Sequence, residues 1–513
     1  MFTRHLSGLL DEAERLHGDR PFLSDDHTFT YAQLATATRQ LGGWLARRGV
    51  QRGDRAIILT RNRAEQALAA FATARVGGIF AVLHGAIREA SLRRILGQVT
   101  PAVAFLDETT AHLAPAFGDV PIVWVGGGAL PSNGARLEQL LAREPAECPP
   151  FPGVDVDPVC LIYTSGSTGA PRGVTLSHDN ILFVVAAIQE RLQYVPEDVV
   201  GVFLPLSFDY GLYQVFLAAQ VGASVFIGGA ELAGAALLAT LERQRITVLP
   251  GVPTLFAALL KLLARGGTRT LRLRALTNTG AHLPLSHVEQ LRQHLPGVSV
   301  FLMYGLTECK RVSILLPEEL EAHPGSVGRA LPGTEAMVVD EEGRVLPPGS
   351  VGELVLQGRH VALGYWQAPE ETALRYRTHP RGLGRVLYSG DLFRMDAEGF
   401  LQFVGRRDFL LKCRGFRIHP LEIEEVACGL RGVAEAGVVQ EPHVDRLHLF
   451  VTASASEDAA PLRETGLLDA LASRLESYKM PDKVHWVPEL PKTPNGKLDR
   501  AALAGLLGTG GRP

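Results

Sequence analysis

Through roughly its first four hundred residues the sequence keeps switching between two spacings of apolar residues. Tyr31–Arg48 (YAQLATATRQLGGWLARR) carries them at helical spacing and stops at Gly49, whereas Arg55–Thr60 (RAIILT) is short and almost continuously apolar. A surface helix needs one apolar face, but a strand covered on both sides is apolar throughout. The rhythm repeats with a helix at Ala64–Arg75 and a strand at Gly77–Val82. Further strands are expected at Ala102–Phe105, Pro121–Val125, Ser224–Ile227, Thr247–Leu249 and Val298–Leu302. Strands alternating with helices point to an α/β fold of parallel, doubly wound sheets covered on both faces.

From about Gly325 the texture changes. Glycines and prolines become frequent, and short alternating strands at Ala336–Val339 and Glu353–Leu356 suggest an antiparallel, barrel-like unit. After the charged segment Gly405–Arg407 come two helical patterns, Pro420–Leu430 and Glu464–Ser477. The division is placed at 1–404 and 405–513, with a hinge near Asp408 and a small α+β domain beyond it. Gly505–Pro513 reads as a frayed tail.

At 513 residues the chain has ample apolar mass for two to four structural units. Lys and Arg number 51 against 54 Asp and Glu, a net charge of −3, which excludes a strongly basic nucleic-acid binder. Five cysteines (Cys148, Cys160, Cys309, Cys413 and Cys428) are scattered without a CxxC pair, as suits a reducing cytosol rather than a disulfide framework or zinc module. The N-terminus is broken by charges and lacks a signal-peptide core. The most apolar stretch, Val215–Ala230, holds Gln220, Ser224 and several glycines and falls short of a membrane span. The expectation is a cytoplasmic enzyme.

The strongest local signal is Tyr163–His178 (YTSGSTGAPRGVTLSH), following a strand at Val159–Tyr163 and leading into a helix from His178. Thr164, Ser165, Gly166, Ser167, Thr168 and Gly169 offer hydroxyl donors and backbone N–H groups that close around phosphate oxygens, and Arg172 adds a cation. A Ser/Gly-rich surface loop is the bland alternative. The pattern is not GxxxxGK[ST], which disfavours ordinary P-loop chemistry.

This segment resembles the phosphate-loop signature of the adenylate-forming superfamily: acyl-CoA synthetases, peptide-synthetase adenylation domains and luciferases. Other signatures follow in the family's order: Tyr304-Gly305-Leu306-Thr307-Glu308 (YGxTE), Gly352–Trp366 (GEL…GYW), Tyr388-Ser389-Gly390-Asp391, the hinge segment Gly405–Glu424, and Pro491–Arg500 (PKTPNGKLDR). The likeness spans nearly the whole chain. It implies a large N-terminal domain of two doubly wound sheets plus a small β-barrel, and a mobile C-terminal domain carrying a catalytic lysine.

The resemblance also implies roles. Lys497 bridges the acid's carboxylate and the α-phosphate, Thr307 donates to that phosphate, and Glu308 holds Mg²⁺. Tyr304 stacks on adenine, Asp391 accepts the ribose hydroxyls, Gly280 lies against the nucleotide, and Arg406 and Arg417 reach it from the domain junction. An interdomain salt bridge is the rival for either arginine. Asp408 is the hinge, and Gly415 leaves room for the thiol arm. The family usually has lysine where Arg172 stands, and arginine keeps the charge with a different geometry. Many CoA synthetases carry a histidine where Phe208 stands, and no histidine of this chain is assigned a role.

The implied reaction is AMP-forming ligation: ATP activates a carboxylic acid, and the acyl group passes to coenzyme A or to the phosphopantetheine of a carrier protein. With no attachment site visible after residue 500, a carrier is expected to be a separate protein. A stand-alone amino-acid adenylation enzyme is the alternative. A non-catalytic nucleotide sensor is disfavoured by the retained phosphate loop and Lys497. The acid's pocket is placed at Phe208, Asp209, Tyr210, Thr279, Met303 and Arg311. Asp209 leaves three readings open: it receives a substrate ammonium, it pairs internally with Arg311, or Arg311 binds a polar or carboxylate end of the acyl group.

Overall fold

The computed structural model describes residues 4–165, 171–265, 270–407, 411–413, 416–441, 444, 446–453, 464–493 and 497–508. Two large sheets form the body. The first runs in the order 364–365, 171–177, 158–165, 79–82, 55–59, 103–107, 122–125 and 134–136, and its strands from 158–165 onward are parallel. The second has a parallel half, with strands 21–24, 224–227, 199–202, 248–251, 275–278 and 299–304 as neighbours. Its other half is antiparallel, through 313–315, 326–330, 400–406, 385–395, 351–358 and 334–339.

The expected barrel-like strands are present, but they continue the second sheet by hydrogen bonds rather than forming a separate body. The long apolar stretch resolves into the end of helix Asp209–Val221 and strand Ser224–Ile227. No described helix is long and apolar enough to cross a membrane.

Local chemistry starts and buries the helices that hold the sheets. Tyr31–Arg47 begins with a capping box, Thr30 accepting from the Gln33 amide while Gln33 returns the bond. Ser177 and Asn180 do the same for His178–Leu192. Helix Ala64–Arg75 is buried along its whole length, which is why apolar residues, most of them alanine, fill eight of its twelve positions.

The C-terminal unit has its own apolar core, built on Cys413, Ile418, Ile423, Leu449 and Leu471. Its sheet joins 433–440, 447–453 and 483–486. The expected tail at Gly505–Pro513 is overturned in its first half: Arg500–Gly508 is a helix, with Leu503 fully buried against Val439 and Phe450.

Candidate active site

The site lies where the two sheets and the C-terminal unit meet, and each wall is set by a short structural device. The phosphate-loop segment follows a strand and leads into a helix at His178, as expected, with a second strand between them. Strand Pro158–Ser165 does not pass straight to a helix; strand Pro171–Ser177 first folds back antiparallel on it, with Thr164 opposite Arg172. Thr164 and Arg172 therefore flank a hairpin tip. Gly166, Ser167, Thr168 and Gly169 lie outside the described residues, as do Asp408 and Gly415; Ser165 and Arg417 are described through their strand backbone alone.

Arg172 sits over the Tyr365 ring, 5.7 Å from its centroid, and the Tyr365 hydroxyl donates to Glu308 Oε1 at 2.7 Å. Arg375 Nη1 lies 3.9 Å from that same oxygen. Glu308 is thereby held between a hydroxyl donor and a guanidinium, beside the Tyr365 ring that Arg172 covers. No three described His, Cys, Asp or Glu side chains are grouped to hold a metal. A single fixed carboxylate still suits Mg²⁺, which keeps several waters and completes its shell with substrate phosphates.

The turn after Tyr304 brings several site residues to one wall. Lys310 donates its amide to the Leu306 carbonyl at 2.6 Å, and Val312 closes back on the Tyr304 carbonyl at 3.0 Å. A Cβ at Gly305 would stand 1.8 Å from the Lys310 carbonyl oxygen, so only glycine fits this turn. Lys310 itself has φ 63. Thr307, at the crest, lines the cavity.

Tyr304 donates to Asp391 Oδ2 at 2.6 Å, and Arg406 Nε lies 3.1 Å from Asp391 Oδ1. Burial, opposed by Arg406, raises the Asp391 carboxyl above the ordinary range. Asp391 and Arg406 are register partners on adjacent strands, so this ion pair lies within one sheet and is not the interdomain bridge of the rival reading. Glu353 fixes the turn before Asp391, accepting from the Gly390 amide at 2.9 Å while Arg407 Nη1 lies 3.1 Å from its other oxygen. Arg375 caps the same turn through the Tyr388 and Ser389 carbonyls, at 2.7 and 2.6 Å. Sequence reasoning gave no role to Glu353, Tyr365 or Arg375. The first two stand inside a quoted motif; Arg375 has no local signal.

Most of the residues that sequence assigns to the acid pocket line a cavity of about 50 Å³. Phe208, Asp209 and Tyr210 enter it from the start of helix Asp209–Val221. Thr279 and Gly280 line the facing side, Gly280 with φ +86. Lys497 reaches in from the C-terminal unit, its Cε 3.8 Å from where a Gly280 Cβ would stand. Protein around this ammonium lowers its pKa through desolvation, although the residue as a whole is exposed. Met303 does not join the lining; it is 4% exposed and belongs to the main core.

At Asp209 the structure corrects the expectation of an internal pair with Arg311. The partner is Lys310, whose Nζ lies 3.3 Å from Asp209 Oδ2. Arg311 instead donates from Nη1 to Thr279 Oγ1 at 2.5 Å and lies 5.1 Å from the centroid of the Tyr210 ring.

Comparison with known proteins gives the family. The family model described as AMP-binding enzyme matches residues 10–366, and the AMP-binding enzyme C-terminal domain matches 422–497. The chain is 31% identical to an L-proline–[L-prolyl-carrier protein] ligase of Streptomyces coelicolor, over 95% of this chain and 94% of that one. It is 29% identical to a benzoate–CoA ligase of Thauera aromatica, covering 95% and 92%. The solved structure of an anthranilate CoA ligase with anthranoyl-AMP shares the fold, with TM-score 0.88, 24% identity and 98% of each chain covered. The chain belongs to the AMP-binding enzyme family, the adenylate-forming superfamily, and is an AMP-forming acid–thiol ligase.

Proposed function

We propose that this cleft carries both half-reactions on a small carboxylic acid, with Lys497, Thr307 and Glu308 as the catalytic groups. In the first, the carboxylate attacks the α-phosphorus of ATP and pyrophosphate leaves. In the second, a thiol attacks the acyl carbon of the mixed anhydride and AMP leaves. Bringing an anion onto a polyanion makes positioning and charge neutralisation the main tasks. Lys497 supplies a cation between the two anions, and Thr307 a donor to the phosphate. Glu308 would hold Mg²⁺, whose charge offsets that of the phosphates. Thr164, Ser165, Gly166, Ser167, Thr168, Gly169 and Arg172 would receive the outer phosphates. Tyr304, Asp391, Arg406 and Arg417 would frame the nucleoside.

The observation that carries this reading is the entry of Lys497, from a separate unit, into the cavity that Thr307 and Asp209 also line. Thioester formation needs a second geometry, and the proposed pivot is Asp408, with Gly415 clearing the thiol's path. Fixing φ there by Asp408→Pro is expected to impair thioester formation more than adenylation; equal loss of both would mean simple destabilisation. Five free thiols fit a reducing cytoplasm.

The proline–carrier-protein relative favours a second reading within the same chemistry, an amino or imino acid loaded onto a separate carrier protein. Pyrophosphate release screened over fatty, aryl and amino acids tests the reaction. Repeating the best substrates with coenzyme A and with a phosphopantetheinylated carrier identifies the acceptor. A protein that binds ATP but releases no pyrophosphate with any acid would be a sensor, not a ligase.

A further inference from the structure

The acid pocket holds one more buried cation than its own chemistry uses. Lys310 and Asp209 cancel as an ion pair at 3.3 Å, and Lys310 also lies 5.7 Å from the centroid of the Tyr213 ring. Lys497 enters from the nucleotide side, where the reacting carboxylate must lie. That leaves Arg311, 6% exposed, on the same cavity wall. No described carboxylate lies within ion-pair distance of its guanidinium. Its Nη1 is satisfied by Thr279, and its Nε–H is buried without a hydrogen-bond partner. Burial pushes the guanidinium pKa down, the direction expected of a cation short of counter-charge.

A buried charge is tolerated when it is paired and hydrogen-bonded, and costly otherwise. The Tyr210 face offers a weak electrostatic partner but cannot receive the free N–H in the guanidinium plane. A planar fork with an unused edge matches a carboxylate, which it binds with two parallel hydrogen bonds. The missing counter-charge would then arrive with the substrate. A cavity of about 50 Å³ accepts a few water-sized groups, which suits a short acid rather than a long alkyl chain.

We infer that the acid activated here is a short dicarboxylic acid, one carboxylate reacting at the Lys497 end while Arg311 binds the other. This rests on the adenylation reading above and names its substrate class. Asp209 keeps one oxygen outside the Lys310 pair, so an amino group between the two carboxylates is compatible with the wall but not required by the inference.

The test pairs each diacid with the monoacid of the same chain length: succinate with butyrate, glutarate with valerate, and aspartate with 2-aminobutyrate, read as ATP-dependent pyrophosphate release. The parent protein should favour one diacid over its partner by about 10²-fold or more in kcat/KM, because a site built around a polar group rejects the analogue lacking it. In Arg311→Gln that ratio should collapse towards one, with Arg311→Lys recovering part of it. Thermal unfolding of ligand-free Arg311→Gln should match or exceed the parent, since a cation without counter-charge is removed. A parent that prefers the monoacids overturns the inference while leaving the ligase reading intact, and this comparison needs no variant to fold. An Arg311→Gln protein that melts earlier and loses both acids equally also overturns it, marking the arginine as structural. Pyrophosphate release with none of these acids but with a long-chain or aryl acid does the same; release with no acid at all removes the ligase reading with it.

Discussion

Lys497 comes into the cleft on a loop that is itself tied down. Its amide donates to Thr493 Oγ1 at 3.2 Å, and its carbonyl accepts from the Thr493 amide at 2.7 Å. Neighbouring Lys492 pairs with Glu435 at 2.6 Å. Removing the Lys497 charge therefore leaves its backbone support in place. Lys497→Ala should cut acyl-adenylate formation by about 10²–10³-fold, the worth of one charge-assisted contact made chiefly in the transition state. Thiolysis of a supplied acyl-adenylate should be spared, so the two half-reactions are to be measured separately; parallel losses would make Lys497 structural. At this scale the sequence named most residues of the wall but not their pairing. Asp209 and Arg311 were both legible, yet Lys310 took the carboxylate. The cause is the left-handed backbone at Lys310, φ 63. Lysine seldom adopts it, and an extended chain would have sent Lys310 and Arg311 to opposite faces.

Among the elements, helix Pro420–Cys428 links the C-terminal core to the segment that carries Lys497. Glu424, buried on this helix, accepts from the Val438 amide at 2.7 Å and takes both arms of Arg500 at 2.6 and 2.8 Å. Arg500 opens helix Arg500–Gly508, so one carboxylate joins two helices and a strand close to Lys497. Glu424→Ala would leave the buried Val438 amide without its acceptor and take the carboxylate from the half-buried Arg500, which keeps the Val438 carbonyl, at a cost of about 1–3 kcal/mol. Chemical denaturation should show that loss in the C-terminal unit first, with adenylation falling further than ATP affinity. A loss under about 1 kcal/mol would mean that water or another acceptor replaces the carboxylate. The elements that sequence missed share a physical cause. Strand Pro171–Ser177 opens on Pro, Arg and Gly, which read as loop, and it is held by pairing with a strand that periodicity cannot see. Helix Arg500–Gly508 contains glycines that suggest fraying, but burial of Leu503 overrides that weak preference. Buried parallel strands were legible because their apolar runs are dictated by cover on both faces.

For the whole molecule, the arrangement that places Lys497 in the cleft is also fastened by His282 and Glu425. His282 follows Gly280 in the N-terminal body; Glu425 lies on helix Pro420–Cys428, and their nearest atoms are 3.2 Å apart. Burial lowers the His282 imidazole to about 4. Desolvation by the surrounding protein, then Glu424 and Glu422, raise the Glu425 carboxyl to about 7, although 45% of the side chain stays exposed. A raised carboxyl contributes fully below its ordinary pKa, and the contribution disappears as pH rises through about 7. A lowered imidazole contributes fully above its ordinary pKa, and that contribution disappears as pH falls through about 4. The two overlap between these limits, where a protonated carboxyl faces a neutral ring. Raising the pH past neutrality should therefore loosen the adenylating arrangement and favour the geometry needed by the thiol. Fluorescent labels on the two units should report a separation that grows across pH 6 to 8 without nucleotide, about a unit either side of the Glu425 value. Glu425→Gln keeps a donor and removes the titration, so its separation should stay at the short value throughout. If that variant opens at the same pH as the parent, another group controls the contact and His282 is an ordinary buried histidine.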